Sequence, residues 1–174
     1  MLRLKTFALS VLFGAFVTCA AAQQQLATSR LTDDIQVSGQ ILPEHMEALK
    51  NQGIRTVIDL RPDGETPDEP SSSALAQAAR QAGLQFGYVP VPLSGNVPSA
   101  AVDTLGELLA RVPQPVLMYC RSGMRATKTW ALAEASRPGG LDAAAILQHA
   151  RDAGRPVDSL SEQIAQRIAA RIQH

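Results

Sequence analysis

Residues 116–127, Val-Leu-Met-Tyr-Cys-Arg-Ser-Gly-Met-Arg-Ala-Thr, leave the backbone few choices. Val116 to Tyr119 form a short apolar run behind Pro115, the pattern of a strand buried on both faces of a parallel sheet. Arg121, Ser122 and Gly123 interrupt that run, and Gly123 admits backbone angles closed to other residues. From Arg125 to Ser136 the chain is Ala-rich, with Ala126, Trp130 and Ala133 at helical spacing, which predicts a helix. Cys120 is therefore expected at the carboxyl end of a buried strand, facing a helix amino terminus.

That position carries chemistry. Backbone N–H groups of Arg121, Ser122, Gly123 and Met124 converge in such a loop on a concavity that suits an anion, and the helix dipole adds positive charge. A thiol placed there loses its proton more readily, and the thiolate is the nucleophile. Arg125, in the spacing C-x4-R, brings a planar fork able to hold two oxygens of an oxyanion. The bland alternative is a buried structural cysteine beside an arginine on a first helical turn. Ser122 has two readings, a hydrogen bond to the thiolate or a helix cap.

The chain has 174 residues, with 45% hydrophobic and 18% charged content and 16 basic against 16 acidic residues. This balance suits one globular core and gives no sign of disorder or of a nucleic-acid surface. Residues 1–22 read separately as a secretory signal peptide: Arg3 and Lys5, an apolar stretch from Phe7 to Val17, then Ala20-Ala21-Ala22. A lipid-anchored alternative needs a small residue before Cys19, and Thr18 after Phe16 and Val17 fits poorly. Cleavage after Ala22 removes Arg3 and Lys5 and no acid, leaving 14 basic and 16 acidic residues, net −2. The expected product crosses the inner membrane to the periplasm, keeps no integral membrane segment, and has Cys120 as its one thiol. A lone thiol in an oxidising compartment is either sheltered or used.

Residues 23–34 read as a flexible lead-in, and 35–174 as a single domain. Strands are predicted over 35–41, 54–60, 84–91 and 116–119, and helices over 43–53, 74–82, 99–112, 125–136, 141–153 and 159–172. Strands alternating with helices imply an α/β fold, a mainly parallel central sheet flanked by helices. In such sheets a ligand sits outside the strands' carboxyl ends. Cys120, Arg61 and the loop after Val91 all fall on that edge.

Here the chain resembles the beta-lactamase-hydrolase-like, phosphatase-like domain family. The likeness rests on Ser38-Gly39-Gln40, on Asp59-Leu60-Arg61-Pro62-Asp63-Gly64-Glu65, on Pro90-Val91, on Tyr119 through Arg125, and on the helix of residues 143–154. It implies a dual-specificity protein tyrosine phosphatase-like fold with a shortened cysteine loop, and a pocket lined by Arg61, Asp63 and Glu65; Asp63 or Glu65 is also the candidate general acid, since that turn is expected near the site. The competing view of those three is a charged turn whose Arg61 pairs with its own acids.

Two enzymatic readings and one non-enzymatic reading follow. The leading expectation is sulfur transfer, because rhodanese-type loops have four residues between Cys and Arg whereas tyrosine-phosphatase loops have five. Cys120 would take sulfane sulfur from thiosulfate or a persulfide and pass it to an acceptor thiol. The alternative is hydrolysis of a phosphoester through a phosphocysteine. Against it, residues 90–99 hold no acid, Ala126 stands where a Ser or Thr is usual, and Tyr119 where a His is usual. The second alternative is a non-enzymatic module that binds anions or senses oxidants through Cys120. His45, His149 and His174 show no ligand spacing, so neither metal nor cofactor is expected. Trp130 reads as core, and the sequence does not set an oligomeric state.

Overall fold

The computed structural model describes residues 26–172. The expected signal peptide lies outside them. In chain order the elements are β1 (Thr28–Arg30), β2 (Ile35–Ser38), a 3-10 turn (Pro43–His45) leading into α1 (Met46–Asn51), β3 (Thr56–Asp59), α2 (Ser72–Ala82), β4 (Gln85–Tyr88), α3 (Ser99–Leu109), β5 (Val116–Tyr119), α4 (Met124–Ser136), α5 (Ala143–Asp152), a second 3-10 turn (Asp158–Leu160) and α6 (Ser161–Ile172). The five strands form one sheet in the order β1-β2-β5-β3-β4. Every pairing is parallel except β1 with β2.

The β1 strand corrects the expected flexible lead-in. Thr28 to Arg30 pair antiparallel with Gln36 to Ser38, and Leu31 is buried in the core. The sequence there is polar because an edge strand needs little apolar surface; its hydrogen bonds to β2 hold it. The strand expected over 116–119 has those bounds, whereas those expected over 35–41, 54–60 and 84–91 are shorter, at Ile35–Ser38, Thr56–Asp59 and Gln85–Tyr88.

Alternation along β3 and β5 divides the core in two. Val57, Leu117 and Tyr119 face one side with Ile41, Leu49, Leu75 and Ala79, under α1 and α2. Ile58, Val116, Met118 and Cys120 face the other, where Trp130 and Ala131 of α4 meet Leu105 of α3, Ile146 of α5 and Ile164 of α6. The result is a three-layer sandwich with β5 at its centre and α4 packed among α3, α5 and α6. Trp130 is fully buried, edge-on to His149 with ring centroids 6.5 Å apart.

Local signals set the ends of the outer helices. Ser71 Oγ accepts from Ala74 N at 3.2 Å to start α2, and Gly83 ends it with a left-handed φ of 77°. Asp142 caps α5 by accepting from Ala145 N at 2.8 Å. Among the described residues no helix is long and apolar enough to cross a membrane.

Leu117 is fully buried on the central strand between two layers. Leu117→Ala is expected to lower the unfolding free energy by about 3–4 kcal/mol, from lost transfer energy plus an unfilled cavity. Urea denaturation measures this, and a loss under about 1 kcal/mol would contradict the close-packed centre.

Candidate active site

The loop after β5 is fastened from both sides. Leu60 N donates to Tyr119 O at 2.9 Å and Gln40 N donates to Arg121 O at 3.2 Å, so β3 and β2 each grip one flank. The chain then reverses at Gly123, whose φ of 86° suits glycine, and enters α4. Gly123 N donates to Cys120 Sγ at 3.1 Å. The thiol thus receives a main-chain donor at a helix amino terminus. Ser122 does not serve it: Ser122 Oγ accepts from Met124 N at 3.5 Å and lies exposed, as does Arg121. Thr127, one place beyond the expected hydroxyl position, donates through Oγ1 to Gly123 O at 3.0 Å and braces the turn instead. Cys120 is 1% exposed, so it forms the floor of the loop rather than a surface thiol.

Arg125 lies over that floor and is held end-on. Nη1 donates to Glu65 Oε1 and, at 2.7 Å, to Val91 O; Nη2 donates to Glu65 Oε2 at 2.8 Å. A guanidinium has five N–H donors. These bonds occupy three and leave Nε–H and one Nη2–H, which lie parallel along one edge. Burial works against the charge of Arg125, but Glu65 and the neighbouring Cys120 hold its pKa above the ordinary value. That free edge is able to take two oxygens of an oxyanion, which makes it one wall of a candidate cradle beside the sulfur.

Glu65 is itself shared. Its Oε2 also accepts from Arg61 Nε at 2.9 Å. Arg61 continues to Glu69 through an ion pair, to Gln40 Oε1 at 2.6 Å and to Thr66 Oγ1 at 3.0 Å. Although partial burial opposes it, the Arg125 and Arg61 guanidinium groups hold the Glu65 carboxyl below its ordinary value. An acid kept ionised this way donates no proton near neutrality. Asp63 is committed elsewhere: its two oxygens accept from Ser72 N at 2.6 Å and Ser72 Oγ at 2.7 Å, fixing the start of α2. Of the three residues expected as pocket or general acid, Glu65 faces the cradle, Arg61 stands behind it, and Asp63 anchors the loop. Neither acid has the geometry of a general acid, a correction to that expectation. Sequence reasoning overlooked Glu69, and it named Gln40 and Val91 without the contacts they make here, which arise only from folding. Among the described residues no group of three or more His, Cys, Asp and Glu side chains is placed to hold a metal ion.

A second buried acid sits close by but across the sheet. Asp59 pairs in register with Tyr119 on the α2 side, because it follows Val57 by two residues. Asp59 Oδ1 accepts from Arg61 N at 2.8 Å. Burial pushes its carboxyl up to about 6, against the effect of Tyr119 and of the Arg61 amide. The Tyr119 hydroxyl faces Asp59, is buried without a hydrogen bond of good geometry, and is kept protonated first by burial and then by the Asp59 charge.

Comparison with known proteins places this arrangement. Residues 28–137 match the family described as beta-lactamase hydrolase-like protein, phosphatase-like domain. A beta-lactamase hydrolase-like protein of Xylella fastidiosa is 34% identical over 140 residues, 78% of this chain and 32% of that protein. The chain thus spans about a quarter to a third of the length of the curated relatives it matches. The crystal structure of a candidate phosphatase from Neisseria meningitidis superposes with TM-score 0.68 and 28% identity, covering 80% of this chain and 96% of that one. A candidate phosphatase from Shewanella putrefaciens gives TM-score 0.65 at 20% identity, covering 87% and 97%. The second likeness bears on the fold alone.

The Asp59 carboxyl binds its proton more tightly in the folded chain than at the ordinary value of 3.8. The stability this contributes is complete below about pH 4 and is lost as pH rises through about 6. Asp59→Asn, which retains the acceptor for Arg61 N, lacks that loss. Relative to the parent, its unfolding free energy is expected to rise by on the order of 3 kcal/mol between pH 4 and pH 7. Parallel urea titrations read the difference, and a pH-independent gap would refute a buried titrating Asp59.

Proposed function

Because the chain belongs to the beta-lactamase hydrolase-like protein, phosphatase-like domain family, we propose that it is an enzyme that hydrolyses phosphoesters through a phosphocysteine at Cys120. The observation that carries this is the free Nε/Nη2 edge of Arg125 beside the sulfur, with Glu65 locking the opposite end of the fork. A phosphoryl group seated there has two oxygens on Arg125 and others on the loop amides, leaving phosphorus in line with Sγ. The Cys120 thiolate forms the S–P bond as the P–O bond to the leaving group breaks. Water then cleaves S–P, returning the thiolate and releasing phosphate.

The site restricts what can leave. Glu65 is held ionised, Asp63 is bound to Ser72, and Asp59 lies on the opposite face of the sheet. With no acid in residues 90–99, the leaving group departs without a proton from a carboxyl group. Substrates are therefore those whose leaving group is stable as an anion, such as aryl phosphates, acyl phosphates or diphosphates. The buried position of Cys120 further selects a terminal group that projects from the substrate.

The same lack of a proton donor favours a second reading, sulfur transfer. The Cys120 thiolate attacks the outer sulfur of thiosulfate, sulfite leaves unprotonated, and the persulfide passes its sulfur to an acceptor thiol. The non-enzymatic alternative, a module that binds anions or senses oxidants through Cys120, predicts stoichiometric modification without turnover. On either enzymatic reading we place the protein in the periplasm, on the strength of residues 1–22.

Intact mass after brief exposure to p-nitrophenyl phosphate, or separately to thiosulfate, distinguishes the two, with Cys120→Ser as the reference because the full chain also holds Cys19. A trapped phosphoryl adduct or Cys120-dependent release of nitrophenol supports the phosphatase. A gain of one sulfur with no phosphatase turnover moves the assignment to sulfur transfer. Arg125→Ala is expected to lower kcat/KM by about 10²–10³ on the true substrate.

A further inference from the structure

Arg155 lies past the segment that matches the family, just after Gly154 turns the chain out of α5 with a φ of 71°. Its Nη1 is held by Ser29 Oγ at 2.8 Å and Ala153 O at 2.9 Å, and Nε donates to Ser122 O at 3.1 Å. That carbonyl and Gly123 N–H belong to one peptide unit, and this N–H donates to Cys120 Sγ at 3.1 Å. A cation, a carbonyl, an amide and the sulfur therefore stand in one line. A charged donor on the carbonyl oxygen polarises the amide and strengthens the bond its N–H makes on the far side.

Gly123 fits this arrangement twice over. Its positive φ makes the turn, and a Cβ at this position would collide with the Arg155 guanidinium. The second constraint is the informative one, since the turn alone does not require Arg155 to approach.

We infer that Arg155 is a positioning residue that stabilises the Cys120 thiolate through the Ser122–Gly123 peptide. The inference rests on Cys120 as the nucleophile, whichever group it transfers. The charged groups around the sulfur are Arg125 of α4, Glu65 acting on it from the β3–α2 loop, and Arg155 behind the cradle. Arg125 serves the substrate oxygens, whereas Arg155 touches only the main chain of the loop and tunes the nucleophile.

The test is the rate of Cys120 alkylation by iodoacetamide against pH in the full chain, with Cys120→Ser subtracting Cys19. In Arg155→Met the midpoint is expected to rise by about one pH unit, ~tenfold less thiolate at a fixed pH below it. The high-pH plateau stays unchanged. Arg155→Lys, which keeps the charge and a donor, recovers part of the difference. A purely structural role would alter melting temperature or plateau and leave the midpoint in place. An unmoved midpoint in folded Arg155→Met overturns the inference, and Arg155→Gln decides in the same way if the Met variant does not fold. A thiol inert at every pH in the parent would sink the nucleophile reading and the relay with it; a reactive thiol with an unmoved midpoint sinks the relay alone.

Discussion

The carboxylate of Glu65, shared between two guanidinium groups, is the contact on which the cradle depends. Arg125 has several rotatable bonds and a charge that water would prefer to surround. Only a fixed, bidentate counter-ion keeps its fork end-on to the protein and edge-on to the sulfur. Burying that pair is costly unless the carboxylate is further satisfied, and Arg61 supplies a second donor to Glu65 while Glu69, Gln40 and Thr66 hold Arg61 in turn. The loop carrying these groups is pinned in turn by Asp63 at the start of α2 and by the Tyr88 hydroxyl, which accepts from Asp63 N at 3.0 Å. Cradle geometry therefore extends back to a helix start and a strand end that never touch a substrate.

The sheet contributes a second constraint. Adjacent residues of a strand face opposite layers, so Tyr119 and Cys120 are chemical strangers although they are covalent neighbours. Tyr119 shares the α2 side with the raised carboxyl of Asp59, and Cys120 shares the α4 side with its helix. Glu65 and Asp59 are likewise six residues apart with opposite tendencies. One is held ionised by two cations, and the other is pushed toward neutrality by burial.

Much of the architecture was legible in the sequence because it follows from local rules. The apolar run before Cys120, the glycine at 123 and the Ala-rich stretch after it specify strand, turn and helix whatever surrounds them. Cys120 and Arg125 were visible for the same reason, being fixed by one short loop. The division of labour among Arg61, Asp63 and Glu65 was not, since a charged turn reads alike whether its acids cap a helix, clamp an arginine or donate a proton. Only tertiary placement separates them. Thr28 to Arg30 escaped because edge strands carry little hydrophobic signal. Arg155 escaped because its partner is a carbonyl oxygen, a group every residue has.

The segment that matches the family model ends at Arg137, yet the folded body does not. Ile146, Ala150, Val157 and Ile164 lie against the layer that contains Trp130. Arg171 reaches back to the carbonyls of Glu134, Ala135 and Gly140 at the far end of α4. A protein cut after Arg137 would expose the indole, leave the last turn of α4 uncapped and lose the side chain behind the cysteine loop. The segment the family model captures and the body packed around α4 are thus different lengths of the same chain.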